Sequence, residues 1–152
     1  MSKGQWVVTS GTIAVPVTPG KTAIELATGT TAANDWIGFD VTFDGVTSTA
    51  IPARIGIKSF TATGTGTAIT FAAAHRMNRG TVMNPDTTAK VNISVEGAGA
   101  IVIAEWFCHP QAGQLYQFPL GREYGMGISE FKGINIFAPA AVNCVVNLYF
   151  EE

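Results

Sequence analysis

Apolar and polar side chains alternate with a period of two residues in several segments of this chain. From Ile37 to Phe43, large apolar side chains occupy every second position, while Asp40 and Thr42 occupy positions between them. The pattern recurs in residues 53–58, 91–96 and 143–150. Because successive side chains of a strand point to opposite faces, each segment predicts a strand with one buried and one wet face.

Shorter apolar segments lie between these four, and glycine-rich or proline-containing turns separate them. They are Trp6 to Val8, Ile13 to Val17, Ala23 to Leu26, Ile69 to Phe71, Leu115 to Phe118 and Ile134 to Phe137. Many short strands in 152 residues predict one all-β domain, an antiparallel β-sandwich resembling a jelly roll. Only Ala72 to Asn78 has a helical pattern, and the first twenty residues also allow an extended N-terminal arm.

The alternation predicts which side chains form the core. The predicted core consists of Ile37, Phe39, Val41, Phe43, Ile55, Ile57, Ile103, Val146 and Leu148. The segment from Ile101 to Cys108 differs, because both of its faces are apolar apart from Glu105. It is predicted to be the central strand of the sandwich, or else a strand that a partner covers.

Charged residues are scarce in this chain. They make up 13% of it, while 47% is hydrophobic, and an average globular protein has about 25% charged residues. The surface is therefore poorly protected against association, so a second copy of the chain is an expected partner. The net charge of -2 provides no broad cationic field, which disfavours nucleic acid as a partner.

The sequence contains no apolar segment typical of a signal peptide or a membrane helix. We therefore expect a soluble protein that is made in a cytoplasm and has no membrane partner. In that compartment the two cysteines, Cys108 and Cys144, are expected to be reduced and buried.

The sequence does not predict an enzyme or a metal site. Cys108 and His109 are adjacent, but neighbours on a strand point to opposite faces and do not form a nucleophile and base. His75 and His109 with the two cysteines lack the paired spacing of zinc ligands. We therefore expect no catalytic residue, no metal and no cofactor.

Three other groups of side chains allow a functional interpretation and a structural one. The carboxylates Asp35, Asp40 and Asp44 could form a hydrolytic set, but they fit the wet side of a strand better. The aromatic residues could form a stacking platform for sugar rings, although alternating aromatics in a β protein are more often core: Trp36, Trp106, Tyr116 and Phe118. The only local basic cluster could contact an acidic partner or form a solvated loop: His75, Arg76 and Arg79.

The C-terminal half resembles small virion proteins of tailed bacteriophages. The resemblance is carried by residues 105–113 (EWFCHPQAG), 117–123 (QFPLGRE) and 138–143 (APAAVN), and by a last strand that ends at Glu152. Upstream, residues 39–45 (FDVTFDG) and 64–68 (GTGTA) are also similar. The family in question is that of the jelly-roll-like head decoration, or cement, proteins.

The resemblance implies a homotrimer that sits on the outer capsid surface of the virion and binds the major capsid protein. Candidate contact residues, for the capsid or between subunits, are Trp6, His75, Arg76, Arg79, Arg122 and Glu123. The alternative interpretation is a carbohydrate-binding or receptor-binding module of a phage tail, based on the aromatic residues named above.

Overall fold

The computed structural model describes residues 4–16, 20–44, 52–77 and 84–152. Twelve strands and one 3-10 turn, Ala73–His75, form in these ranges. The strands are β1 (Gln5–Thr9), β2 (Ile13–Val15), β3 (Lys21–Ala27), β4 (Asn34–Phe43), β5 (Ala53–Phe60), β6 (Thr65–Ile69), β7 (Thr88–Val95), β8 (Ile101–Cys108), β9 (Gln114–Gln117), β10 (Tyr124–Met126), β11 (Phe131–Phe137) and β12 (Val142–Glu151). The predicted all-β fold class is confirmed.

The strands form two antiparallel sheets that pack face to face. The first sheet has the order β1-β12-β4-β10, with β2 also pairing with β12 and β9 also pairing with β4. The second sheet has the order β6-β7-β3-β11-β5-β8. β1 and β2 both pair with β12, and β3 pairs with β11, so strands from the two ends of the chain lie side by side in each sheet.

The core lies between the two sheets and follows the predicted alternation closely. Fully buried side chains include those of Phe39, Val41, Ile55, Ile57 and Leu148. Val146 is fully buried as well, while Phe43 is partly buried and packs against the core. Burying one such side chain is worth about 1.5–3 kcal/mol.

The prediction for Ile37 is wrong because β4 contains a β-bulge. Tyr149 lies opposite Gly38 and Phe150 lies opposite Trp36, so Ile37 has no partner on β12. An extra residue in one strand shifts the alternation by one position. Trp36 is therefore buried with the core, while Ile37 is only partly buried.

The prediction that residues 101–108 form the central strand is also wrong. β8 is the last strand in the order of the second sheet and pairs with β5. Ile103, predicted to be core, is 45% exposed, since a register shift leaves it without an opposite residue on β5. Apolar side chains on both faces of a strand therefore do not mark a central position here.

In the described residues of the N-terminal segment, β1 and β2 pair with β12. The ends of two other predicted elements differ from the sequence interpretation. The predicted helix from Ala72 to Asn78 is reduced to one 3-10 turn in its described part, and Asn78 lies outside it. Residues 124–126, which lie between the predicted segments Leu115 to Phe118 and Ile134 to Phe137, form β10. The Trp36 Nε1–H donates a hydrogen bond to Met126 Sδ of this strand at 3.1 Å.

The β5–β6 and β7–β8 connections lie side by side at one end of the sandwich. The Thr61 backbone N–H donates to the Ala98 carbonyl at 2.8 Å. The carboxylate of Glu25, which is 1% exposed, accepts hydrogen bonds from Thr63 Oγ1 at 2.5 Å and from the Gly64 N–H at 3.0 Å. Glu25, a buried side chain of β3, thus holds the β5–β6 connection in place.

Candidate interaction surface

Three of the predicted contact residues lie together along β1. Trp6 is 2% exposed, and its ring packs against Phe71 with a centroid distance of 5.7 Å. The Arg76 guanidinium lies 5.7 Å from the centre of the Trp6 ring, and the backbones of these two residues form an isolated bridge. The His75 ring contacts Phe71, and its Nδ1 accepts from the Ala72 N–H at 3.1 Å. Trp6 thus stabilises the fold, and the segment that follows Phe71 is docked on β1.

The other predicted contact residues lie elsewhere. Arg122 and Glu123 belong to the turn between β9 and β10, where Glu123 Oε1 accepts from the Gly121 N–H at 2.9 Å. This turn lies at the opposite edge of the first sheet from β1. Arg79 lies outside the described residues. The structure therefore does not bring the described members of the predicted set into one site.

The aromatic residues proposed as a sugar platform pack against one another. Trp36 is fully buried and Phe118 is almost fully buried. The ring centroids of Trp106 and Tyr116 are 4.9 Å apart, and those of Tyr116 and Phe118 are 5.0 Å apart. Phe39 contacts all three of these rings. These rings therefore fill the part of the core that lies between β8 and β9.

Cys108, Cys144 and Asp44, which the sequence singled out, are buried or hydrogen-bonded in the structure. Cys108 and Cys144 are free and buried, and burial raises the pKa of both thiols, that of Cys144 to about 12. A raised pKa opposes formation of the thiolate that a nucleophile needs. Asp44 accepts from the Asn143 side chain at 2.8 Å. In the described ranges there is no group of three or more His, Cys, Asp or Glu side chains arranged to hold a metal ion.

One edge of the sandwich exposes apolar side chains that the chain itself does not cover. We define the β8 strip as Ile101, Val102, Ile103 and Phe107, all of which are exposed. Phe107 is 67% exposed and lies opposite Arg54 of β5, on the outer face of the second sheet. Val102 shares this outer face, with Glu105 between it and Phe107, while Ile101 lies opposite Ser59 on the other face of β8. The two-sided apolar pattern of residues 101–108 was the sequence signal for this surface.

A shallow apolar groove lies on the outer face of the first sheet near the same edge. We define the β9 groove by its lining residues, Ile37, Gly38, Met77, Leu115, Tyr116, Gln117 and Tyr149, which enclose about 230 Å³. Leu115 is 74% exposed, and Met77 is also exposed. The bulge in β4 creates part of this groove, because it turns Ile37 out of the core. Sequence reasoning missed the groove, since a bulge leaves no clear pattern in the sequence.

The charged groups beside these two surfaces are already paired. Asp40 accepts hydrogen bonds from Asn147 Nδ2 at 2.8 Å and from Tyr149 Oη at 2.6 Å. The hydrogen bond to Asp40, together with burial, raises the pKa of Tyr149 to about 12. Beside the strip, Glu105 and Arg54 form an ion pair at 3.6 Å. Both surfaces can therefore be covered without isolating a charge.

Comparison with protein-family models, with curated proteins and with solved structures gives no match for this chain. Among the described residues, no helix is both long and apolar enough to cross a membrane.

Proposed function

We propose that this chain is a structural virion protein, a capsid decoration protein that binds the outer surface of a phage head as a homotrimer. Its partners in this proposal are further copies of itself and the major capsid protein. It acts by binding, without catalysing a reaction and without a cofactor or metal.

The observation that carries the proposal is the pair of uncovered apolar surfaces at one edge of the β-sandwich. Such surfaces mark sites of protein association, and the low content of charged residues fits a molecule that works inside an assembly. A jelly roll hosts many functions, so the fold alone does not select one. The sequence resemblance described above is what directs the proposal to phage heads.

Decoration stabilises a shell through linkage. A ligand that binds the intact capsid, and not its separated subunits, shifts the equilibrium toward the intact form by an amount that grows with ligand concentration. Three contacts held on one rigid trimer act at high effective concentration, so weak individual contacts give strong binding. The β9–β10 turn with Arg122 and Glu123, and the docked segment with His75 and Arg76, are the contacts that we assign to the capsid.

The test uses phage heads that lack the protein. Purified protein is added to the heads, bound copies are measured by sedimentation, and the temperature of capsid disruption is recorded. We expect saturable binding and a higher disruption temperature, with both effects reduced by Arg122→Glu and unchanged by Arg54→Glu. Arg54 is a suitable control because it carries the same charge on β5 of the second sheet, where it forms an ion pair with Glu105.

Two results would overturn the proposal. One is a failure of the wild-type protein to bind heads of its own phage. The other is binding to a host polysaccharide in place of heads, with affinity lost on Trp106→Ala or Tyr116→Ala, which would favour the tail-module interpretation.

A further inference from the structure

We propose that two connections at one end of the second sheet form an acid-released cover, which Glu96 holds closed over the outer face of the sheet. We define the cover as residues 61–64, between β5 and β6, and residues 96–100, between β7 and β8. The proposal concerns how a single copy responds to pH, and it does not depend on binding to a capsid.

The cover buries a phenylalanine that lies outside the main core. Ile57 of β5 faces the core, so Phe60, three residues along the same strand, faces outward. Phe60 is nevertheless only 5% exposed. Gly97 of the cover lies against it, since a Cβ atom at Gly97 would be 3.1 Å from the Phe60 Cβ and would overlap the Ala62 carbonyl oxygen. Opening the cover therefore exposes an aromatic ring.

The Glu96 carboxylate anchors the cover to the sheet. Its Oε1 accepts hydrogen bonds from Lys58 Nζ of β5 and from Thr22 Oγ1 of β3, both at 2.7 Å. Asn135 Nδ2 of β11 lies 3.5 Å from the same oxygen. The Lys58 side chain is only 15% exposed, so water shields this ion pair incompletely. One carboxylate thus ties residues 96–100 to neighbouring strands.

The two parts of the cover are also joined to each other. The Thr61 N–H and the Thr61 Oγ1–H both donate to the Ala98 carbonyl, at 2.8 and 3.1 Å. Glu25 separately holds the far end of residues 61–64, through Thr63 and Gly64. Releasing Glu96 therefore loosens residues 96–100 first, and the Thr61 amide reports that loosening.

The electrostatics of Glu96 favour its charged form in the closed cover. Burial raises the pKa of Glu96, but the hydrogen bonds from Lys58 and Thr22 and the charge of Lys58 outweigh burial, so the pKa lies below its ordinary value of 4.5. The other charged side chains of the strands beneath the cover are Lys21 and Glu25 of β3 and Lys90 of β7. Of these charged groups, Lys58 is the one that pairs with Glu96.

Acid consequently favours the open cover. Glu96 is solvated when the cover is open, so the closed state binds this proton more weakly than the open state. The contribution of Glu96 to closure is complete above pH 4.5 and is lost as the pH falls toward the lowered pKa. A single titrating group changes the opening equilibrium by up to about tenfold per pH unit.

The experiment measures hydrogen exchange of the Thr61 amide by NMR between about pH 6 and about pH 3, after correction for the intrinsic exchange rate. The Ser10 amide is the internal control, because it donates to the Val146 carbonyl at 2.8 Å in the first sheet. We expect the protection of Thr61 to fall several-fold below pH 4.5, and the protection of Ser10 to stay constant.

Two matched variants test whether Glu96 is the group that responds. Glu96→Gln has the shape of the protonated side chain, so the Thr61 amide should be weakly protected at every pH, without a step. Glu105→Gln removes another carboxylate from the outer face, one that pairs with Arg54 at 3.6 Å. We expect this control to keep the wild-type step in Thr61 protection.

Three outcomes would overturn the inference. The first is a wild-type Thr61 amide whose protection does not change with pH. The second is an equal fall at Ser10, because the whole sandwich would then open and not the cover alone. The third is a step that persists in Glu96→Gln or disappears in Glu105→Gln, because a different group would then carry the response. The decoration proposal stands or falls separately, on the binding of the protein to heads.

Discussion

β12 and β8 are both rich in apolar residues, yet they occupy opposite positions in the sandwich. β12 lies between β1 and β4, with Leu148 fully buried on its inner face and Tyr149 hydrogen-bonded to Asp40 on its outer face. β8 lies at an edge and pairs with β5, and its outer face exposes Phe107. Side chains of the same chain cover the inner face of β12 and hydrogen-bond to its outer face, whereas they leave the outer face of β8 exposed.

The difference shows what each sequence pattern reports. Strict alternation, as in β12, indicates a strand with the core on one side and polar partners on the other. Apolar residues on both sides, as in β8, indicate that both faces need cover, and say nothing of which molecule provides it. In this protein the chain covers only the inner face of β8, which is why the strand was misplaced at the centre of the sheet.

The largest expected effect compares one phenylalanine from each strand. Phe150→Ala removes a fully buried ring of β12 and should lower the free energy of unfolding by about 3–5 kcal/mol. Phe107→Ala removes an exposed ring of β8 and should change it by less than about 0.5 kcal/mol. Both are measured by urea denaturation. Equal losses would show that the outer face of β8 is not exposed in the single copy.

Sequence reasoning could predict the fold class and most of the core, because period-two alternation is a local signal. It located β4, β5 and β12 and the buried residues Phe39, Ile55 and Leu148. It could not predict the order of strands, since pairing within the two sheets depends on contacts between residues far apart in the chain. It also missed the β9 groove, because the groove depends on a bulge and on side chains from separate strands.

A second prediction concerns Glu25, which holds the β5–β6 connection in place. Glu25→Ala would leave the buried Gly64 N–H without its acceptor, at a cost of about 1–3 kcal/mol, and would remove a hydrogen bond from Thr63. We expect a total loss of about 2–3 kcal/mol in unfolding free energy. Glu25→Gln is the control, because it keeps an oxygen acceptor and should cost less. A change in unfolding free energy below about 0.5 kcal/mol for the alanine variant would mean that the β5–β6 connection does not depend on this carboxylate.

A third prediction tests the polar outer face of β12 through pH. The pKa of Tyr149 is raised from 10.0 to about 12 in the folded protein. The folded state therefore holds this proton more tightly than the unfolded chain, so its contribution to stability is complete below pH 10 and is lost as pH rises toward 12. Cys144, whose pKa is raised from 9.0 to about 12, acts in the same direction.

The measurement is the urea midpoint at several alkaline pH values. Asp40→Asn removes the charge that disfavours the phenolate, so the loss of stability above pH 10 should be smaller in this variant than in wild type. Tyr149→Phe should show the same flatter profile, because it removes the titrating group. Wild-type and variant profiles that coincide would contradict the assigned role of Asp40.

The smallest expected effect compares the two thiols, one on each strand. Cys108 of β8 and Cys144 of β12 are both buried, and burial raises both pKa values, so native alkylation should be slow for each. Cys108 should react faster, because an edge strand opens locally at lower free energy than a central one. Variants with a single thiol, Cys144→Ala and Cys108→Ala, allow each rate to be measured alone. Equal rates would show that the two strands open together.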